Sequence, residues 1–204
     1  PRSTSSPDER PYNIVLLTVD SLRPDHLGTY GYARATSPSI DAFAKTATVF
    51  ERAYSQETKT KGSIPSLLTS RWPSDIRWGG RRYVPLAEDE VTLAEKLLDA
   101  GYHTGAFLTH SYFLPGQGMD RGFVHYDTSL ISRDPAIAFG RPSGAALADR
   151  LVDYLGRTPK GRPFFLWAHF FDPHERYLTH AGFSKFGGRP IDRYDGEIAY
   201  TDHH

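Results

Sequence analysis

Cysteine is absent from this chain of 204 residues, and so is an excess of charge of either sign. Without cysteine the chain has no disulfide, no thiolate metal site and no cysteine nucleophile. Lysine plus arginine and aspartate plus glutamate both number 24, so nothing in the composition indicates a nucleic-acid partner or an anionic membrane surface. The sequence also lacks any apolar run of about 18 residues and therefore predicts no membrane span. These absences leave the compartment open.

Both ends of the sequence lack the signals of a natural boundary. Residue 1 is Pro1 rather than Met, and residues 1–11 have the composition of a disordered polar linker. Residues 197–204 have a helical pattern without a capping residue. We therefore expect one folded unit over residues 12–204 whose last helix is cut, and any signal peptide or anchor would lie upstream.

Apolar runs alternate with amphipathic segments along the chain. Residues 13–20 form a continuous apolar run that ends in a carboxylate, which is typical of a strand buried on both faces of a parallel sheet. Further strands are predicted at residues 48–54, 102–109 and 163–171, and helices at residues 39–46, 66–70, 91–100 and 143–157. Strands that alternate with helices predict an α/β fold with a mostly parallel sheet flanked by helices.

Polar residues follow three of the predicted strands, at Asp20, His110 and residues 172–174. Ligands of such sheets bind beyond the carboxyl ends of the strands, so these positions are candidates for a site. A carboxylate directly after an apolar run is poorly solvated unless it has a partner, and a divalent cation is one such partner. A helix cap in the following loop explains Asp20 equally well, and both interpretations stay open.

Residues 58–73 combine hydroxyls and lysines at a predicted helix start. Backbone amides and the helix dipole favour phosphate or sulfate at such a position. One of the hydroxyls there could act as a nucleophile if a metal or a base lowered its pKa. The alternative is a helix cap on a basic surface loop.

Two histidines belong to the strand at residues 163–171 or follow it closely. His174 comes after the strand and an Asp–Pro turn, where it could donate to an oxyanion or protonate a leaving group. His169 lies inside the strand, and we interpret it as a core residue with satisfied hydrogen bonds. The terminal pair His203 and His204 receives little weight as a metal site.

Four segments resemble the sulfatase family of the alkaline phosphatase superfamily, and they occur in the family's order. These segments are residues 13–32, residues 36–44, residues 101–107 with 119–127, and residues 164–174. The resemblance implies an alkaline-phosphatase-like α/β sandwich. We expect the fold to be incomplete here, because the family's second set of metal ligands lies beyond residue 202. The implied partner is the remaining C-terminal part of the catalytic domain.

The resemblance also implies a reaction: an activated hydroxyl attacks a sulfate or phosphate ester beside a divalent cation. Asp20 matches a metal-binding aspartate of the family, and Ser21 stands where many sulfatases have a second aspartate. The expected cation is Ca²⁺, with Mn²⁺, Mg²⁺ and Zn²⁺ as alternatives.

The nucleophile has two possible registers against the family motif. A local Ser-x-Pro-Ser match selects Ser63, whereas the spacing to the Leu-Leu-Thr at residues 67–69 selects Thr60. We prefer Thr60, because the end of the helix must keep its place in the core. Threonine is not a precursor of formylglycine, and a plain threonine nucleophile resembles the relatives that transfer phosphoryl groups.

The remaining catalytic positions depart from the family pattern. The family's Lys-x-His pair falls near residues 109–111, where His110 is the expected substitute, and Lys61 or Lys59 is expected to supply positive charge. The resemblance thus implies a hydrolase of sulfate or phosphate esters with catalytic Thr60, Lys61, His110 and His174, of low activity as this fragment. The alternatives are a threonine-dependent phosphotransferase or phosphodiesterase, and a non-catalytic binding module.

Overall fold

The computed structural model describes residues 11–132, 134, 143–183 and 185–204, so that residues 1–10 of the predicted linker lie outside it. The strands are β1 (Ile14–Val19), β2 (Trp78–Arg81), β3 (Val84–Leu86), β4 (His103–Leu108), β5 (His125–Asp127) and β6 (Phe164–Phe170). The helices are α1 (Pro38–Ala44), α2 (Thr60–Thr69), α3 (Leu93–Asp99), α4 (Gly144–Arg157) and α5 (Pro190–His203). In the described part of the chain no helix has the length and apolar character needed to cross a bilayer.

Four strands form one parallel sheet in the order β1-β6-β4-β5. The predicted α/β fold with a mostly parallel sheet is therefore confirmed, and β2 and β3 form a separate antiparallel pair. In the register of β1 and β6, Thr18 lies beside His169 and Val19 beside Phe170. Both strands therefore end at the same edge of the sheet.

Two core clusters pack against β6, one on each face of the strand. Phe165 and Trp167 belong to a cluster on one face, together with Phe113. Leu166 packs on the other face against Leu147 of α4. Successive side chains of a strand point to opposite faces, so a strand buried on both faces needs an unbroken apolar run. The run over β6 in the sequence has this property.

The strand predicted at residues 48–54 is wrong, because the structure has no regular element there. Val49, Phe50 and Tyr54 are 39%, 68% and 78% exposed. Strand propensity mostly reflects packing against neighbouring strands, and this segment has none beside it in the described part of the chain.

Helix α2 begins six residues earlier than the predicted helix at 66–70, despite Pro65 inside it. Pro65 has no N–H to donate to the carbonyl of Lys61, and the Tyr112 hydroxyl approaches that carbonyl instead, at 3.4 Å. The early start places Thr60 in the first turn of the helix.

Candidate active site

Asp20 lies at the end of β1, where the chain turns sharply away from the sheet. Its backbone N–H donates to the carbonyl of Phe170, 2.9 Å away, and its side chain is 9% exposed. Ser21 has a positive φ of 56°, in the left-handed region. The Tyr194 hydroxyl donates to the Ser21 carbonyl (2.7 Å) and accepts from the Arg23 N–H (2.9 Å). Helix α5 therefore fixes the turn that aims the Asp20 carboxylate.

Thr60 is the first residue of α2, and its Oγ1 donates to Oδ2 of Asp20 at 2.9 Å. Ser63 lines the same cavity of about 530 Å³, to which Thr18, Asp20 and His169 also contribute. Of the two hydroxyls that the sequence proposes as nucleophile, Thr60 is the one hydrogen-bonded to the carboxylate.

His169 is buried, as interpreted from the sequence, but it also contacts Asp20. Its Nε2 lies 3.4 Å from Asp20 Oδ2, and its Nδ1 lies 2.8 Å from Thr18 Oγ1. The Trp167 indole N–H, which can only donate, binds the same Thr18 oxygen at 3.0 Å. The Thr18 hydroxyl lies 3.4 Å from the Ala168 carbonyl but 2.8 Å from Nδ1, so we assign its proton to the shorter contact. With Nδ1 as the acceptor, the hydrogen on Nε2 points to Asp20. No pattern in the sequence indicates this contact, because it depends on the pairing of β1 with β6.

His110 presents a hydrogen-bond donor to the same carboxylate. Its Nδ1 accepts the Tyr112 N–H at 2.9 Å, so Nε2 carries the hydrogen whenever the ring is neutral. Nε2 lies 3.8 Å from Asp20 Oδ2. This orientation suits donation to an oxyanion better than coordination of a metal, because a metal needs the lone pair of the nitrogen.

His174 has the opposite orientation. Its Nδ1–H donates to the Glu175 carbonyl at 2.7 Å, which makes Nε2 the acceptor nitrogen of the neutral ring. The ring stacks on Phe171 with 4.5 Å between centroids. Asp20, His110 and His174 each offer a ligand atom, and these atoms lie within 4.8 Å of one another. The sequence analysis proposes five site residues. The structure brings four of them together: Asp20, His110 and His174, with Thr60 bound to Asp20.

Lys61, the fifth proposed site residue, is exposed, and its side chain points toward the ring of Tyr112. Its ammonium lies over the Tyr112 ring, 6.0 Å from the centroid. Its charge is the smallest of the effects that lower the pKa of His110. The positive charge expected from the sequence thus reaches the site only at a distance.

Two groups in the site have displaced pKa values. Burial raises the pKa of Asp20, but the hydrogen bond from His169, the charges of His169 and His110 and the Thr60 hydroxyl outweigh it and lower the pKa to about 2. Burial lowers the pKa of His110 to about 4, with only partial compensation from Asp20. At neutral pH the site therefore holds an ionised carboxylate beside a neutral His110.

A cation fits this donor set in part. An ionised carboxylate, the oxygen of Thr60 and the acceptor nitrogen of His174 are three groups that can hold a divalent ion beside the hydroxyl. Such an ion would supply positive charge for the oxygens of a bound ester and would favour the ionised form of the hydroxyl.

The family model described as Sulfatase matches residues 12–204. Human arylsulfatase A is 37% identical over 105 residues, which are 47% of this chain and 20% of that protein. The Kdo(2)-lipid A phosphoethanolamine 7''-transferase of Escherichia coli K12 is 26% identical over 208 residues, which cover 93% of this chain and 34% of that protein. The chain thus spans a fifth to a third of these curated relatives.

Solved structures show the same fold at lower identity. The zinc complex of the C-terminal periplasmic domain of EcEptC from Escherichia coli has a TM-score of 0.75 at 18% identity and covers 96% of this chain and 57% of its own. A protein of the alkaline phosphatase superfamily from Vibrio parahaemolyticus has a TM-score of 0.70 at 19% identity, covering 94% of this chain and 48% of its own. The expected alkaline-phosphatase-like fold is therefore confirmed.

Proposed function

The chain belongs to the sulfatase family, and from this premise we propose that it carries the nucleophile and the first metal ligand of an ester-cleaving active site. The single observation that supports this most is the 2.9 Å hydrogen bond between Thr60 Oγ1 and Asp20 Oδ2 at the carboxyl edge of the sheet. Two residues 40 positions apart meet where ligands of parallel sheets bind. The substrate is a sulfate or phosphate ester.

In the proposed reaction the Thr60 oxygen attacks the sulfur or phosphorus atom, and the bond from that atom to the leaving alcohol oxygen breaks. Asp20, with a pKa of about 2, stays ionised and is too weak a base to keep the Thr60 proton. His174 cannot take up that proton while its Nε2 lone pair is offered to the cation, so water accepts the proton from Thr60 and another water protonates the leaving oxygen. The His110 Nε2–H donates to an oxygen of the transferring group.

The donor set favours zinc or manganese over the calcium expected from the sequence. Calcium prefers six to eight oxygen ligands, whereas this site offers one carboxylate, one hydroxyl and imidazole. Imidazole with a carboxylate is a common ligand pair for zinc. The remaining ligands would come from the C-terminal part of the catalytic domain, because the curated relatives are more than twice as long as this chain.

A second candidate function is phosphoryl transfer with threonine as the nucleophile. It is favoured by the hydrogen bond of Thr60, rather than Ser63, to Asp20 and by the phosphoethanolamine transferase that matches 93% of the chain. The Thr60–phosphoryl intermediate would then pass its group to an acceptor hydroxyl instead of water, with the Thr60 oxygen as the leaving group.

The test is activity of a longer protein that contains this segment, assayed on nitrophenyl sulfate and on nitrophenyl phosphate mono- and diesters. We expect Thr60→Ala to lower kcat at least about 10³-fold, because the nucleophile is lost. Thr69→Ala is the matched control, since Thr69 ends the same helix and binds the Pro65 carbonyl. The ratio of sulfate to phosphate turnover decides between the two functions. Unchanged turnover of Thr60→Ala would exclude Thr60 as the nucleophile, and no turnover by the unsubstituted protein on any of these esters would leave the non-catalytic binding module.

A further inference from the structure

A second group of metal-ligating side chains lies outside the candidate active site. Asp172 follows β6, His180 lies in the next loop, and Glu197 is in the middle of α5. Their exposed fractions are 3%, 6% and 1%. One ligand atom of each residue lies within 4.8 Å of the other two. Three separate parts of the chain thus bring two carboxyl groups and an imidazole into one buried space.

Asp172 is bound on one oxygen by the start of α4. Its Oδ2 accepts hydrogen bonds from the Ser143 N–H, the Ser143 hydroxyl and the Gly144 N–H, each at 3.0 Å. Three donors hold this oxygen at the first turn of the helix. These bonds leave Oδ1 as the oxygen available to a ligand.

Glu197 is bound on one oxygen only. Its Oε1 accepts the Leu178 N–H at 2.8 Å and lies 3.3 Å from His180 Nε2. Its Oε2 is buried and has no hydrogen-bond partner among the residues that the structure describes. A buried carboxylate oxygen without a partner is costly, so this atom indicates a missing proton or cation.

Positive charge is scarce around the two carboxyl groups. Within the described ranges neither Asp172 nor Glu197 has a lysine or arginine within ion-pair distance, and His180 is the one basic side chain paired with Glu197. The Tyr200 ring stacks on His180 with 3.9 Å between centroids, which closes this side to water. Burial also raises the pKa of Glu197.

We infer that Asp172, His180 and Glu197 bind one divalent transition-metal ion of the zinc class in a structural site. A charge of +2 balances two carboxylates, and one imidazole with two carboxylates is a donor set that zinc accepts. Three protein ligands leave one tetrahedral position for water. The ion would join α5 to the end of β6, next to the loop that carries His174.

The test uses the chain after treatment with EDTA, in an Asp20→Asn background that disables the candidate active site. Equilibrium dialysis against Zn²⁺ should give one ion per chain. Glu197→Gln and His180→Gln should each weaken binding at least tenfold. The control is His203→Gln, which removes an exposed histidine from the same helix and should leave binding unchanged.

The alternative occupant is a proton shared between the carboxyl groups. Folded Asp20→Asn chain that retains no zinc would overturn the site in favour of that proton, and so would zinc binding that is insensitive to both substitutions. If both variants fail to fold, X-ray absorption of the zinc-loaded Asp20→Asn chain decides. One imidazole with oxygen neighbours supports the site, whereas oxygen alone or several imidazoles contradicts it.

Discussion

At the residue scale, the direction of each hydrogen bond separates the roles of three histidines that a sequence cannot distinguish. His169 and His110 both accept at Nδ1 and direct an N–H toward Asp20, whereas His174 donates at Nδ1 and keeps an acceptor at Nε2. A site with two donors and one acceptor can stabilise developing negative charge and still offer a lone pair to a cation. Backbone groups orient His110 and His174, and the Thr18 hydroxyl orients His169.

Thr18→Val tests the chain of hydrogen bonds that orients His169. The substitution keeps the shape but removes the oxygen shared by Trp167 and His169, so a buried indole N–H loses its partner. We expect a loss of about 1–3 kcal/mol in the free energy of unfolding. ¹⁵N NMR of the imidazole should show His169 shifting from the Nε2–H tautomer to a mixture.

The matched control is Thr104→Val on β4, where the hydroxyl donates to the Gly122 carbonyl at 2.6 Å. That variant should lose comparable stability and leave the His169 imidazole signals unchanged. A His169 spectrum identical in wild type and Thr18→Val would contradict the tautomer assignment.

The low pKa of His110 makes stability depend on pH. The folded pKa of about 4 lies below the usual 6.5, so the unfolded chain binds the proton first, and stability falls as the pH drops from about 6.5 toward 4. Between pH 7 and pH 5 the EDTA-treated protein should lose about 2 kcal/mol in urea unfolding. His110→Gln should lose less over the same interval, and equal losses would show that His110 is not the group responsible.

At the element scale, the sequence predicted those strands and helices whose own apolar pattern is enough to indicate them. β1, β6 and α4 each have an apolar pattern that only one type of buried element satisfies, and all three formed within a few residues of their predicted bounds. The segment 48–54 has the composition of a strand, but pairing depends on a neighbour that its own residues cannot specify. Contacts between elements, such as that of His169 with Asp20, could not be predicted from the sequence for the same reason.

The α5 helix supports the candidate active site from behind, and Tyr194→Phe tests this support. Loss of the hydroxyl removes two hydrogen bonds to the turn at residues 21–23, so the Asp20 carboxylate should become less well oriented. We expect the affinity of the Asp20 site for Zn²⁺ or Mn²⁺ to fall about tenfold in a Glu197→Gln background, measured by calorimetry. Tyr200→Phe is the control on the same helix, where the hydroxyl accepts the Ala145 N–H at 3.1 Å.

At the scale of the whole molecule, one face of the edge strand β1 has little cover from the residues that the structure describes. β1 is the outer strand of the sheet, and its Val15 and Leu17 side chains are 45% and 57% exposed. Phe50 and Tyr54 add further exposed apolar surface. In the function proposed above, the C-terminal part of the catalytic domain covers this surface in a longer protein.

Leu17→Glu tests whether this face of β1 is covered in a longer protein. The substitution is made both in the chain of 204 residues and in a protein that adds the C-terminal part. In the chain of 204 residues the side chain is largely in water, so the free energy of unfolding should change by less than about 0.5 kcal/mol. In a longer protein that adds the C-terminal part, the charge would be buried without a partner, and the loss should reach about 3 kcal/mol or more. Val152→Glu on α4, where the valine is 68% exposed, should be tolerated in both lengths. Equal tolerance of Leu17→Glu in both proteins would mean that this face of β1 stays open to solvent, and the Asp20 site would then have to find its missing ligands elsewhere.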